Sequence, residues 1–471
     1  MKLSFRECFA ILAAKFALSL SPRSTSAPGL AALKIAPGLL NKLLSSSKAP
    51  IFITGTNGKS TTAGMLASII NEGDMNFIHN RSGANLPSGL LTELIKHLSC
   101  NLNCEAKLES QEILFEIDEA VLRKITEHNP AKLILVNNFF RDQLDRFGEM
   151  NQTINLVQEG IRFVNEANNK PSLDSQSLAM GKGLLVLNAD DPNVCKLKYP
   201  EDTTDTRVLY FGIDAKVWKQ NNLPDVYAEE LGLCPRCNAD LTYKIQWLGQ
   251  FGDFVCDSCG YKRPDPAFKV TELKFTTCNS QIKLEFPNLK NINVKVPLPG
   301  LFNVYNALGS AAVAYSLGFS QEQIKNGIEN YKSLFGRSQE VKYKDKSLKI
   351  FLIKNPIGAS EVLRLIRSDP KAKVLLAIND NYADGRDVSW LWDAHFEHLV
   401  DNKFPVFATG TRGSDIAVRL KYAGVKRITY YEYLKQAIEE FCDKSSLEDN
   451  LYLVPTYTAL LQITKLLKIN L

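Results

Sequence analysis

The sequence predicts an α/β protein made of two parallel-sheet domains, and three observations carry that prediction. An apolar strand at 51–54 runs straight into a glycine-bracketed Gly-Lys-Ser that opens a helix. Downstream, apolar runs of strand length alternate with helical patterns, the rhythm of βαβ units. Around Arg337 the alternation starts afresh and continues through the last hundred-odd residues. The expected division is 1–47 for an N-terminal helix and connector, 48–335 for a central domain and 336–471 for a C-terminal α/β domain.

Taken in order, Lys2 and Arg6 precede CFAILAAKFALSLS, which superficially resembles a secretory leader. Lys15 interrupts that run, and Phe5, Phe9, Leu12, Phe16 and Leu20 recur at helical spacing. The pattern predicts an amphipathic helix lying on the protein or on the inner surface of a membrane, in a cytoplasmic protein. No stretch approaches the ~20 uninterrupted apolar residues that a membrane span requires. A Ser/Pro/Gly-rich connector (SLSPRSTSAPG, then LLSSSKAP) leads to the first strand.

The segment IFITGTNGKSTT at 51–62 is the most informative in the chain. Gly55 and Gly58 let the backbone curl so that N–H groups face a phosphate, and Thr56, Asn57 and Thr61 complete the loop. Lys59 supplies a point charge for the β and γ oxygens of ATP, Ser60 a hydroxyl for Mg²⁺, and the helix beginning there a positive dipole end. The spacing departs from the common G-x-x-x-x-G-K-[ST] loop, with Ile53 at the place of its first glycine.

The strands that follow are EILFEID (112–118), KLILVNN (132–138), GLLVLNADDP (183–192) and RVLYFGI (207–213), with 170–182 read as a surface loop. Polar clusters close each strand, where α/β sheets place their ligands. Glu116 and Asp118 suit Mg²⁺, with helix capping as the other role for Asp118. Asn138, Arg141, Asp142 and Asp145 follow the next strand, surface ion pairs being the alternative for Arg141 and Asp145. Asn188, Asp190 and Asp191 suit ribose or adenine. Shorter strands resume at 269–296, and Asn303 and Asn306 open a later helix as caps or base contacts. In the C-terminal domain, strands are expected at 349–355, 373–380, 404–410, 426–432 and 450–456.

Between them, at about 228–268, lies a segment of different composition holding CPRC (234–237) and CDSC (256–259), with 18 residues between Cys237 and Cys256. Two such pairs predict a closed, structural Zn²⁺ site on Cys234, Cys237, Cys256 and Cys259, in a small zinc ribbon with Tyr243, Trp247, Phe251 and Phe254. Six scattered cysteines (Cys8, Cys100, Cys104, Cys195, Cys278, Cys442) read as reduced thiols of a cytosolic protein. Arg236, Lys262 and Arg263 lie near the ribbon, but Asp240, Asp253 and Asp257 balance them, and a net charge of +5 is too mild for nucleic acid. No nucleic-acid partner is expected.

GTNGKST, EIDE, NNFFRDQLDRFGE, LNADDP and FNVYNALGSAA occur in the order found in Mur ligases, the ATP-dependent enzymes that build peptidoglycan stem peptides. The four-cysteine insert, KNPIGASEVL (354–363) and NDNYADGRDVSWLWD (379–393) make the chain resemble, more narrowly, the MurT family, synthetase subunits of lipid II isoglutaminyl synthase. That resemblance implies a reaction: ATP phosphorylates the α-carboxylate of D-glutamate in the lipid II stem peptide, and ammonia displaces phosphate to leave D-isoglutamine. It implies that Lys59 holds the γ-phosphate, Ser60 and Glu116 hold Mg²⁺, Asn303 faces adenine and Arg337 contacts phosphate from the interdomain side. Asp142-Gln143 stands where Mur ligases carry Asp-His, so the His ligand of a second Mg²⁺ is missing, and LIKNPIG stands where they carry DYAHNP, which fits the MurT family and not an amino-acid-adding ligase.

Amidating enzymes usually take ammonia from glutamine, which requires an activated Cys with a His base. No cysteine here sits in a G-x-C-x-G elbow, and none of His79, His97, His128, His395 and His398 is tied to a suitable one. The resemblance names the source, a GatD glutaminase subunit in a heterodimer, and implies that Asp387 reaches across to orient its catalytic His, with Asp384 second in line and Asp387 as helix cap the alternative. Trp390 and Trp392 would anchor that interface or pack in the core. Competing readings are a Mur-type ligase adding an amino acid and a nucleotide-binding scaffold that activates its glutaminase.

Overall fold

The computed structural model describes residues 1–22, 24–100, 106–108, 111–140, 150–164, 183–198, 207–220, 232–276, 278–333 and 337–468. Helices α1 (Phe5–Leu20), α2 (Ala27–Ile35) and α3 (Leu39–Ser45) come first. A capping box starts α1: the Ser4 hydroxyl accepts from Glu7 N–H while the Glu7 carboxylate accepts from Ser4 N–H. The face of α1 laid on the protein is Cys8, Ala10, Ile11 and Ala14, three of them small enough to permit close approach to α2 and α5 (Pro87–Lys96). The apolar stripe read from the sequence lies on the opposite, outward side.

The central sheet holds nine strands: β1 (Ile51–Thr54), β2 (Phe77–His79), β5 (Glu112–Glu116), β6 (Leu133–Val136), β7 (Leu184–Asn188), β8 (Arg207–Ile213), β11 (Phe268–Phe275), β12 (Ser280–Glu285) and β13 (Ile292–Val296). Between these, β3 (Leu98–Cys100) and β4 (Ala106–Leu108) form a hairpin, and β9 (Thr242–Leu248) and β10 (Phe251–Val255) form the ribbon. The order is β13-β12-β11-β8-β7-β6-β1-β5-β2. From β2 to β11 all pairings are parallel, and β12 and β13 then add antiparallel. The sheet is thus mixed, where βαβ rhythm alone predicts a parallel one; the late strands join by short turns and need no crossover helix.

Alternate residues of β1 feed opposite cores. Ile51 and Ile53 pack with α4 (Lys59–Ile70) and the helix Leu301–Ser316, whereas Phe52 packs beneath the N-terminal helices and α6 (Glu119–Thr126). The second sheet runs β14 (Arg337–Tyr343), β15 (Lys346–Phe351), β19 (Asn450–Pro455), β16 (Ala372–Ala377), β17 (Val406–Thr409), β18 (Ile428–Tyr430), parallel except for β14. It too is covered on both faces, with Val374 and Leu376 on one and Leu375 and Ala377 on the other. Among the described residues no helix is long and apolar enough to cross a membrane.

Candidate active site

The loop after β1 is held by the end of β6. Asn57 N–H donates to Asn138 Oδ1 (2.8 Å), Asn138 Nδ2 donates back to Asn57 O (3.0 Å), and Thr56 N–H reaches Asn138 O (3.0 Å). Thr56 Oγ1 accepts from Phe140 N–H at 3.0 Å. Gly58, at φ 85°, is the turn into α4, and a Cβ there would stand 2.0 Å from Asn306 Oδ1, so no other residue fits. Asn137 Nδ2 donates to Thr62 Oγ1, which donates to Asn306 Oδ1, locking α4 to the helix Leu301–Ser316. Ser60 and Thr61 are buried in the first turn of α4.

Lys59 lies back along this loop, donating to Gly55 O (2.7 Å) and to Glu119 Oε1 (2.9 Å). Burial alone would lower its pKa, yet Glu119, Asp118 and Glu116 together raise it, so the ammonium stays charged. Glu119 is the residue that sequence reasoning passed over, although it ends the EIDE motif. Asp118 is indeed the α6 cap, accepting from Ala120 N–H at 3.0 Å, and burial together with the Glu119 charge raises its pKa. Glu116 is 2% exposed, and its backbone is clamped by Asn80, which accepts from Glu116 N–H (3.0 Å) and donates to Glu116 O (2.8 Å).

Ser60 and Glu116 come close together beside these groups. Gly83 has φ 76°, and a Cβ built on it would stand 3.3 Å from both Ser60 Oγ and Glu116 Oε1. The hydroxyl and carboxylate therefore both approach residue 83, and a side chain there would crowd them. Hard oxygen donors of this kind suit Mg²⁺.

These groups border a cavity of about 1220 Å³. Its far wall comes from the C-terminal domain: Lys354 Nζ reaches Thr56 O (3.4 Å) and Asn355 Nδ2 donates to Asn57 Oδ1 (2.9 Å). Asn303 lines the cavity from the first turn of its helix, anchored by donation to Pro299 O at 2.7 Å. Arg81, Phe139 and Phe140 also line it, without having been singled out in the sequence.

Two expected nucleotide contacts lie apart from the cavity. Asn188 and Asp190 are fully buried and do not line the cavity. Asn188 donates to Asn137 O (2.9 Å) and accepts from Asp190 N–H. Asp190 pairs with Arg263 (2.7 Å) and accepts from Tyr305 OH (2.6 Å) and Ile213 N–H (2.8 Å), so its lone pairs are spent inside the fold. Asp191 caps the next short helix through Asn193 N–H. Arg141, Asp142, Gln143 and Asp145 lie outside the described residues, as does the loop at 170–182 and the side chain of Arg337.

The four cysteines come together as the spacing requires, with all Sγ atoms within 4.8 Å of one another. Cys234 and Cys259 Sγ are 3.6 Å apart, and Cys237 and Cys256 Sγ 3.5 Å. Zn–S bonds of ~2.3 Å in a tetrahedron give sulfur edges of about 3.8 Å, so the set fits zinc. Each pair is turned by a left-handed residue, Asn238 (φ 61°) and Gly260 (φ 71°), whose N–H returns to the first cysteine's carbonyl. The ribbon is bolted to the central sheet by Arg263–Asp190, Tyr261 OH to Pro192 O and the Trp247 indole to Tyr305 OH. Arg263, 9% exposed at its side chain, is thereby unavailable to a phosphate backbone.

The two aspartates of the 379–393 segment part company. Asp384 is buried, accepting from Thr458 N–H, Thr458 OH and Asn381 N–H. Asp387 is half-buried, and its Oδ1 accepts from Ser389 N–H at 2.8 Å, a turn just ahead of the short helix Trp390–Asp393, whose N-cap is Ser389. It does not line the cavity, although Ala383 of the same loop does. Trp392 is 53% exposed against Tyr422, while Trp390 packs at the edge of the C-terminal core.

Comparison with known proteins places this geometry. Residues 53–252 match the family model of the Mur ligase middle domain, and residues 352–460 that of the MurT ligase C-terminal domain. The chain is similar to the lipid II isoglutaminyl synthase (glutamine-hydrolyzing) subunit MurT of Streptococcus pneumoniae, 33% identical over 96% of this chain and 94% of that one. The Staphylococcus aureus protein of the same name is 32% identical over 88% of this chain and 86% of its own. Among solved structures, a pseudomurein peptide ligase type C from Methanothermus fervidus shares the fold, with a TM-score of 0.66 at 20% identity, covering 91% of this chain and 80% of that one.

Proposed function

This chain belongs to the MurT family of Mur ligase-type enzymes, and on that premise we propose that it amidates the α-carboxylate of D-glutamate in the lipid II stem peptide. The observation that carries the reading is the cavity wall, where Lys354 and Asn355 of the MurT-type C-terminal domain meet the Gly55–Ser60 loop of the ATP-type domain. An acyl acceptor entering between the two domains would lie against the γ-phosphate of ATP held on that loop.

Loop N–H groups and Lys59 grip the β and γ oxygens; Lys59 leaves Glu119 to do so, exchanging one anion for another. Ser60 and Glu116 would hold Mg²⁺, which when bound neutralises charge on the phosphates. The acceptor carboxylate oxygen attacks the γ-phosphorus and ADP leaves, giving an acyl phosphate. Ammonia adds to the acyl carbon, loses a proton, and phosphate departs with the carboxyl oxygen. The Cys234, Cys237, Cys256 and Cys259 site holds the ribbon as a structural zinc and takes no part in these steps.

Ammonia would come from a separate GatD-type glutaminase subunit. Burial pushes the Cys442 thiol up to about 11 and raises the Cys195 thiol well above its ordinary value, so neither is an activated nucleophile. In this reading Asp387, half-buried on the C-terminal domain and outside the cavity, would complete that partner's triad.

Mass spectrometry of lipid II after incubation with the chain, its glutaminase, Mg-ATP and glutamine tests the proposal. The expected result is the small mass decrease of OH replaced by NH₂ on D-glutamate. Asp387→Asn should lose on the order of 10³–10⁴-fold with glutamine and keep full activity with ammonium. No mass change with either nitrogen source overturns amidation.

A further inference from the structure

Helix α1 is apolar on both sides. Cys8, Ala10, Ile11 and Ala14 are buried against the protein, while Phe5 (84% exposed), Phe9 (57%), Leu12 (63%), Phe16 (65%) and Leu20 (73%) form a continuous outward stripe. With polar residues only on its flanks (Arg6, Glu7, Lys15, Ser19), such a helix carries a second apolar face that a partner surface would cover. At 16 residues α1 is too short to span a bilayer, which takes about 20.

Charge selects the covering surface. Residues 1–50 carry seven basic side chains (Lys2, Arg6, Lys15, Arg23, Lys34, Lys42, Lys48) and one acidic one, Glu7, a surplus of six against +5 for the entire chain. All of the protein's net positive charge therefore resides in this segment. Glu7 is itself neutralised by Lys42 at 2.6 Å and tied into the α1 cap. Exposed large apolar side chains set in a basic, acid-poor segment are the signature of an element that rests in an anionic lipid interface.

Position agrees with charge. Leu20 ends α1, and Pro22 and Thr25, exposed residues just beyond it, line the cavity. We infer that α1 docks this chain on an anionic bilayer surface, its Phe5–Leu20 stripe inserted among the acyl chains, so that the cavity opens at the membrane plane. The inference rests on the amidation reading only for its purpose, which is delivery of a lipid-anchored acceptor to that cavity; the docking itself stands on α1.

The test is co-sedimentation of the full chain with phosphatidylglycerol vesicles and with phosphatidylcholine vesicles, beside the double variant Phe9→Glu/Phe16→Glu. The native chain should pellet with phosphatidylglycerol, release as salt rises, and partition roughly tenfold or more weakly to phosphatidylcholine. The double variant should lose vesicle binding by a similar factor, keep its melting temperature, and amidate a lipid-free acceptor peptide at the native rate. Equal, weak pelleting on both lipids overturns the inference, as does a variant that pellets like the native chain. Light scattering that finds a native dimer and a monomeric variant, without vesicle binding, assigns the stripe to a second copy and overturns it as well. Vesicle binding without any amidation would sink the proposed reaction and leave the docking intact.

Discussion

The carboxyl ends of the two sheets are built from the same materials and put to opposite uses. Past β1 and β5, Lys59, Ser60, Glu116 and Asp118 face a cavity, and the backbone turns through Gly55, Gly58 and Gly83 at positive φ. Past β16 and β19, the polar groups consume one another: Asn379 binds Thr456 and Thr458, Asp384 binds Thr458 and Asn381, and Asp380 binds Thr411 and Arg412. The first end is left open and highly charged, which suits a phosphate; the second is a closed network, which suits a rigid platform for Lys354, Asn355 and Asp387. A strand end marks where ligands are placed, but only the pairing of its polar groups tells whether a ligand is placed there.

The largest expected effect breaks the open end. Lys59→Ala should cut ATP-dependent amidation by on the order of 10²–10³-fold, with ammonium as well as with glutamine, because it removes charge from the phosphoryl-transfer step itself. Loss with glutamine alone would move Lys59 out of that step. Next, Gly83→Ala places a methyl 3.3 Å from both Ser60 Oγ and Glu116 Oε1, at a φ that L-residues resist. We expect the Mg²⁺ concentration for half-maximal activity to rise by roughly tenfold or more, while a native-like requirement would mean the cation sits elsewhere.

The closed end should respond in stability and not in chemistry. Asp384→Ala strands the N–H groups of Thr458 and Asn381, a cost of about 1–3 kcal/mol. Calorimetry should show a lower C-terminal transition, and ammonium-dependent turnover per folded molecule should stay within about twofold of native. A large loss of turnover would make the closed network part of the active site and erase the contrast.

Much of this was legible in the chain. The loop after β1, β8 at its observed limits and the four-cysteine cluster follow from period, spacing and glycine placement, which are local. The surroundings of Asn188 and Asp190 were not legible, for a reason that is not local. Their position at the end of β7 fits a ribose contact, but Arg263 and Tyr305, 73 and 115 residues away, take the carboxylate first. Glu119 was missed likewise, because its partner Lys59 is 60 residues distant. In α1 the period identified the helix, yet the small residues between the large ones settle which side meets the protein.

The smallest effect sharpens the comparison by asking whether both domains answer to acid alike. Each holds one histidine that is kept neutral: burial lowers His79 to about 4 in the central domain, and burial next to Arg367, His395 and Arg364 lowers His398 to about 4 in the C-terminal one. An unfolded histidine titrates near 6.5. Between 6.5 and 4 the unfolded chain therefore binds protons that the folded chain refuses, so stability that is complete above pH 6.5 is lost as pH falls toward 4. His398→Gln should relieve that loss in the C-terminal domain alone, raising its melting temperature at pH 5 by about 2–4 °C relative to native and changing it little at pH 8. The central transition, still governed by His79, should keep its acid slope. An equal shift in both transitions would mean that the domains unfold as one unit, and the closed network past β16 and β19 would then stabilise the open end as well as its own sheet.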